Sequence, residues 1–336
     1  MQRRNYQRGR GRRHLGRGPE GIVEEIRNDV ERGSAELTAR ALDAFILLAD
    51  STEAKSAEEL RSSVVELARQ IASSRPSMFS LRNVSFEVAA KFAEASRYTD
   101  NPGVLRELLK QIAASVLEEQ RVASERLRRF GREVLSKLKG VVTISYSSSV
   151  LAVLKEVGKK VKVYVAESRP LFEGRKTAAA LAEAGIDVVL TTDAAIGCML
   201  KEADAALVGA DAILSDGSFA NKVGTLQLAC TSKFLGKPFY VVSTTWKALP
   251  TLEYPEEAHE AEEVLSPANE HSLLSTKNVD VRNPYFEVVP AELVTAYITE
   301  EGTLTPSQMA ELIGSRFRRY KEVEEAVCGR GLERAD

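Results

Sequence analysis

The sequence predicts an α/β protein in which an N-terminal helical domain precedes an open parallel-sheet domain flanked by helices. Three observations predict it. From Gly140 to Trp246, short β-branched runs (VVTIS, VKVYVAES, DVVLTT, DAALVGAD and PFYVVST) alternate with Ala-rich helical runs. Strands apolar throughout imply burial on both faces, and strands separated by helices imply right-handed crossovers in a parallel sheet. From Pro19 to about Gly131, by contrast, apolar residues recur at helical spacing. Polar residues, finally, gather where the strand runs end: Ser145, Ser147 and Ser148, then Glu167, Ser168 and Arg169, then Asp193, Asp211 and Ser243. In open α/β sheets that edge is where ligands sit.

Taken in order, residues 1–18 (MQRRNYQRGRGRRHLGRG) are rich in Arg and Gly and hold little that packs. They are expected to be a disordered tail, either a plain solvated segment or a weak electrostatic contact to RNA. Residues 19–135 form the expected helical domain. Ser34, after Gly33, is placed to cap a second helix, and Ser56 with Glu59 forms a capping box ahead of a third. Arg75-Pro76-Ser77 breaks the pattern, and two further helices follow, the last long and highly charged. Residues 136–325 form the expected α/β domain. Its segment from Lys247 to Pro284 is acidic, Pro-punctuated and poorly periodic, and reads as a long excursion or partner surface. NPYFEVVPAELVTAYITEEG gives one more strand, a helix and a short closing strand. A terminal helix starts with Thr305 as cap and Pro306 at its first position, and residues 326–336 are expected to be a flexible end.

The net charge of −2 gives the chain as a whole no general attraction to nucleic acid. Three cysteines without a CxxC spacing argue against a disulfide framework or a zinc site, and Cys198 and Cys230 read as core thiols. Three histidines outside the core pattern speak against a histidine-based triad or metal centre, so neither metal nor cofactor is expected. No apolar run approaches the ~20 residues of a membrane span, and the basic N-terminus lacks the apolar region of a secretory signal. A cytoplasmic protein without membrane contact is expected.

The blocks VTISYSSSVLAVL, YVAESRPLFEGRKTA, DAALVGADAI, GSFANKVGT, KPFYVV and NPYFEVVPAELVTAYITEEG together resemble one family. It holds the regulatory alpha, beta and delta subunits of eukaryotic initiation factor 2B, their archaeal homologues, and the isomerases of ribose-1,5-bisphosphate and methylthioribose-1-phosphate. The resemblance runs from about Ile22 to Leu312 and implies a Rossmann-like α/β domain behind a helical one. It implies a translation initiation factor subunit of the archaeal type, a homodimer or homohexamer. Its partners would be a phosphorylated sugar or nucleotide and the alpha subunit of initiation factor 2. The alternative it implies is an aldose–ketose sugar-phosphate isomerase.

Residue by residue, Arg32, Gly33 and Ser34 resemble the family's phosphate-contacting turn. Arg169, Arg175, Asn221 and Lys222 resemble its substrate-holding residues, with Asn221-Lys222 read as the start of a helix that would favour an anion. Asp211 stands at the catalytic Asp. Ser145 stands where the isomerases carry their catalytic Cys. Carbonyl transfer between sugar carbons needs a group that gives and takes a proton near neutrality. A thiol can be tuned to do so, whereas a Ser hydroxyl needs an adjacent base. Ser145 therefore weighs against the isomerase. If turnover exists, Asp211 would be its acid/base and Ser145 its relay.

Overall fold

In the computed structural model, residues 18–29, 32–255, 259–265, 274 and 276–328 are described, with side chains of the last helix described as far as Arg318. The expected RNA-contacting tail and the last eight residues lie outside them. Five helices come first: α1 (Pro19–Asn28), α2 (Ser34–Ser51), α3 (Ala57–Ser74), α4 (Phe79–Ala95) and α5 (Pro102–Leu135). They close over a core that includes Leu37, Phe45, Leu60, Ile71, Leu81, Phe92 and Leu105. Their termini follow sequence chemistry. Ser56 Oγ accepts from the Glu59 amide at 3.2 Å, Asn101 Oδ1 caps α5 through Gly103 at 2.9 Å, and α3 stops one residue before Arg75-Pro76. One cap differs: Gly33 is the N-cap of α2, and the Ser34 hydroxyl bonds Ser80 Oγ of α4 at 2.5 Å instead.

The five strand runs between Gly140 and Trp246 fold as expected, whereas the helix expected after Pro290 is only a 3-10 turn at Ala291–Leu293, followed by two strands. β1 (Gly140–Thr143), β2 (Lys162–Ala166), β3 (Val188–Thr191), β4 (Ala205–Val208), β7 (Phe239–Val242) and β9 (Ala296–Thr299) are parallel, and β10 (Gly302–Leu304) closes the sheet antiparallel. The order is β10-β9-β7-β4-β1-β2-β3. Helices α6 (Ser148–Val157), α7 (Glu173–Glu183), α8 (Ile196–Glu202) and α9 (Thr225–Phe234) connect the strands, a short α10 (Glu262–Leu265) lies in the acidic excursion, and α11 (Pro306–Cys328) ends the described chain. Gln308 N bonds Thr305 Oγ1 at 3.3 Å, the expected cap. β1 and β4 are buried along their whole length, as their apolar runs predict. β3 is not: it is the edge strand, and Leu190 stays 48% exposed. An apolar run reports what a strand is made of, while its place in the order decides what covers it.

A second, three-stranded antiparallel sheet, β5 (Ala212–Ile213), β6 (Phe219–Lys222) and β8 (Phe286–Val289), has the order β5-β6-β8 and was not anticipated. Cys198 and Cys230 are exposed rather than core thiols, because they lie on the outward sides of α8 and α9. Trp246 leaves the sheet layer and enters the core of the helical bundle, where α4 receives it. Asn83 Nδ2 donates to the carbonyls of Trp246 at 2.7 Å and Ala248 at 2.9 Å. No helix among the described residues is long and apolar enough to cross a membrane.

Candidate functional site

The carboxyl ends of the parallel strands converge. β1 runs into Ser145, whose backbone takes φ 59°, a left-handed conformation uncommon for a residue with a Cβ. Neighbours hold it there: its amide donates to Ser168 Oγ at 2.7 Å and its carbonyl accepts from Thr177 Oγ1 at 2.7 Å. Ser168, at the end of β2, is itself left-handed at φ 61° and buried. Asp193, beyond β3, binds the amides of Ser168 at 2.7 Å and Arg169 at 2.8 Å with its two carboxylate oxygens. The Asp193 carboxylate thus ties the β3 end to the β2 end, and the Ser168 hydroxyl ties the β1 end to both. The Ser145 hydroxyl makes no hydrogen bond to the described residues.

β4 ends in Gly209, where a Cβ would lie 2.5 Å from Ser147 Oγ and 4.0 Å from Asn221 Oδ1. Only glycine lets the β1, β4 and β6 ends meet so closely. Asp211 follows two residues on, half-buried, its amide bonded to Ala220 O at 2.8 Å, while Lys247 Nζ holds the preceding carbonyl of Ala210 at 2.6 Å.

Asn221 and Lys222 are the last residues of β6, not the opening of a helix. The start of α9 is already served, since the Leu226 amide donates to Glu287 Oε1 at 2.9 Å. Both side chains are buried. Asn221 Nδ2 donates to Thr225 Oγ1 at 3.0 Å. Lys222 Nζ pairs with Glu173 Oε1 at 2.7 Å and lies 4.1 Å from the Tyr285 ring centroid, a cation–π contact on a desolvated ammonium. The other Glu173 oxygen, Oε2, is buried with no hydrogen-bond partner. An orphaned buried carboxylate oxygen is costly, and such an atom calls for a donor.

Glu173 opens α7 directly after Phe172, a third left-handed residue at φ 58°. The Phe172 ring sits between two of the predicted cations, with Arg175 at 4.0 Å and Arg169 at 5.2 Å. Arg175 Nη2 pairs with Glu167 Oε2 at 2.6 Å, and Arg169 Nη2 donates to Val264 O at 2.6 Å, so α10 is tied to this edge. The Tyr285 hydroxyl donates to Glu263, and the His259 ring stacks on Tyr285 with centroids 3.3 Å apart. Burial and the Glu263 carboxylate both push the Tyr285 phenol well above its ordinary value, so it stays protonated.

The structure therefore draws Ser145, Arg169, Arg175, Asn221 and Lys222 into one chain of contacts, with Asp211 beside it. Arg32, Gly33 and Ser34 belong to the helical bundle and make none of these contacts themselves. The Arg32 guanidinium is held by Glu25 Oε1 at 2.6 Å and Asp29 Oδ2 at 2.7 Å, which raise its pKa further. Arg75 donates to the Asp29 carbonyl. The link from this turn to the sheet runs through α4: Ser34 bonds Ser80, and its neighbour Phe79 packs on Ala212 and Ala220. Sequence reasoning missed Phe172, Glu173, Tyr285 and His259. Glu173 lay within a quoted block, but nothing local marks which carboxylate will face a lysine 49 positions away.

The comparisons agree with this architecture. The model of the initiation factor 2 subunit family matches residues 30–306, and the chain belongs to that family. It is 32% identical over 288 residues to a putative translation initiation factor eIF-2B subunit 2-like protein of Pyrococcus furiosus, covering 85% of this chain and 95% of that one. It is equally 32% identical, over 311 residues, to the ribose 1,5-bisphosphate isomerase of Archaeoglobus fulgidus, covering 90% of this chain and 94% of that one. Among solved structures it resembles the 5-methylthioribose 1-phosphate isomerase of Pyrococcus horikoshii OT3, with a TM-score of 0.69, 26% identity and coverage of 92% of this chain and 88% of that one.

Proposed function

We propose that this chain is a binding subunit of the initiation-factor type that keeps the family's strand-end site for a phosphorylated sugar or nucleotide without turning the ligand over. Overall similarity does not choose between factor and isomerase, since relatives of both names stand at the same identity. The observation that carries the reading is local. Ser145 stands where the isomerases have a thiol, and its hydroxyl makes no hydrogen bond to a general base among the described residues, only its backbone being bonded. The groups suited to holding a ligand are retained: buried Asn221 and Lys222, the orphaned Glu173 oxygen as acceptor for a sugar hydroxyl, and the arginines flanking Phe172 for phosphate. Each cation has a carboxylate or carbonyl partner, so phosphate entry would exchange one charge partner for another. On this reading the assembly is a homodimer or homohexamer, the protein partner is the alpha subunit of initiation factor 2, and Arg32, Gly33 and Ser34 add to the ligand site from the bundle side, through Ser80 and Phe79 of α4.

The test has two arms run on one preparation. With ribose 1,5-bisphosphate and, separately, adenosine monophosphate, at least one ligand should stabilise the protein saturably, by about 2.7 kcal/mol at a hundredfold excess over its Kd. A coupled assay for the ketose product should stay at background. Turnover of ribose 1,5-bisphosphate that disappears in Asp211→Asn would replace the binding reading with the isomerase, with Asp211 as acid/base and Ser145 as relay.

A further inference from the structure

The net charge of −2 conceals a strong asymmetry. Between Arg126 and Lys162 the chain carries ten Lys and Arg against two acids, Glu133 and Glu156. The fold brings seven of these cations to one place, the amino ends of the parallel strands, on the opposite edge of the sheet from the candidate site, while Arg126 points away to Glu301. Lys139 immediately precedes β1, and Lys162 opens β2, with Lys162 N bonded to Lys139 O at 2.9 Å. Lys155 ends α6, and Lys159 and Lys160 form the turn after it, where the Lys159 side chain runs past Gly185 at the end of α7. The last turns of α5 pack against α6 and add Arg129 and Arg132.

These seven side chains are exposed. The acids at this edge are Glu133, Glu156, Glu183, Asp187, Glu202 and Asp204, and Glu202 accepts from the Tyr164 hydroxyl at 3.2 Å. Glu156 pairs with Arg132 at 3.3 Å, and Asp204 caps the amides of Lys139 and Gly140 at 2.5 and 3.1 Å. Asp187 precedes β3 and Glu133 lies on α5. Lys139, Lys155, Lys159 and Lys160 form no ion pair among the described residues. Four lysines crowded without an ion-pair partner raise the local potential, a cost that an incoming polyanion relieves.

We infer that this edge is an RNA-binding surface, contacting the phosphate backbone of a single strand. A membrane is the poorer fit, because the one large exposed apolar side chain among the described residues at this edge, Phe234 at the end of α9, lies on the α8–α9 layer and not beside the cations of α5 and α6. The composition of the chain's first 18 residues, seven arginines with four glycines, is that of segments that follow single-stranded RNA, so the sequence carries a second element of the same chemistry. The surface is separate from the strand-end site, so it holds or fails independently of the ligand reading.

The test is fluorescence anisotropy of the full chain with a labelled oligouridylate of about 20 nucleotides, from about 50 to about 300 mM KCl. Binding should weaken steeply with salt. Combining Lys155→Glu, Lys159→Glu and Lys160→Glu should weaken it at least about tenfold and lower the slope of log K against log salt by about two, three contacts at ~0.7 each. Should charge reversal unfold the protein, the corresponding Gln substitutions carry the same test with a smaller loss. Wild-type affinity in the substituted chain would overturn the inference, placing any RNA contact elsewhere. So would phosphatidylserine vesicles that bind as well as the oligonucleotide.

Discussion

At Ser145 the chain accepts a left-handed backbone that costs a residue with a Cβ about 1–2 kcal/mol. Ser168 and Phe172 do the same nearby, so three such residues surround one strand-end cluster. Strain of this kind persists where surrounding bonds over-determine it, and it gathers at sites. Asp193, Thr177 and the Ser168 hydroxyl supply those bonds. The most consequential single pair is Lys222 with Glu173, because both charges are largely removed from water. Lys222→Met should destabilise the protein by about 3 kcal/mol, the low end for breaking a buried pair, since the Glu173 side chain keeps 18% exposure. Adding Glu173→Gln should restore at least about half of that loss, because the uncompensated charge causes most of it. Urea denaturation of both variants measures this; no recovery in the double variant would mean that Lys222 acts by packing alone. Of this pair, Asn221-Lys222 was legible in the sequence as a motif, and Glu173 as a ligand of the lysine was not. A motif lies along the chain, whereas an ion pair depends on the turn that Phe172 makes.

At the scale of elements, the crossing of α5 on α6 is set by Gly131. A Cβ there would come within 2.6 Å of Val153 Cγ2, closer than real contacts allow. Glycine inside a helix costs about 1 kcal/mol against alanine, which the close helix approach offsets. Gly131→Ala should therefore destabilise by about 1–3 kcal/mol despite its better helix propensity, and Val153→Ala in the same chain should relieve the clash. Thermal unfolding of the single and double variants checks it, and a stabilised Gly131→Ala would refute the packing account. Elements also show where pattern reading stops. The capping box at Ser56 and the Thr305 cap formed as their local chemistry requires. Cys198 and Cys230 sit in apolar helical runs yet face outward, because rotation about a helix axis is fixed by what the helix packs on. The β5–β6–β8 sheet went unseen because two of its strands are short and its third lies more than 60 residues downstream.

At the scale of the molecule, the bundle and the sheet are joined by the segment around Trp246. Glu300, past the end of β9, is buried beneath this joint and accepts from the Thr245 amide at 3.0 Å and from Thr245 Oγ1 at 2.5 Å. Arg316 of α11 donates to the same hydroxyl at 2.5 Å and lies 4.6 Å from the Trp246 ring centroid. A cleft of about 640 Å³ between α5, the joint and α11 opens beside them. Burial is the largest influence on Glu300 and raises its pKa above the ordinary carboxylate value. The folded state then holds its proton more tightly than the unfolded chain. The resulting stabilisation is complete below the ordinary glutamate range, about 4.3, and is lost as pH rises through the raised folded value. Melting temperatures measured across that window should fall less steeply in Glu300→Gln than in the wild type. Equal slopes would show that Glu300 is ionised at little cost.

The sequence by itself determined the alternation of strand and helix, the parallel sheet, the edge at which polar residues collect, and membership in the family through blocks that span the chain. Those properties follow from periodicity, turn chemistry and motif order, which are local and survive in one dimension. Only the tertiary structure decided which carboxylate faces Lys222, that Arg32 is held by Glu25 and Asp29, that β3 is an open edge, and that a near-neutral chain is basic at one end. Each of these depends on which distant segments meet. Desolvation, ion pairing and surface potential depend on those meetings rather than on the order of residues.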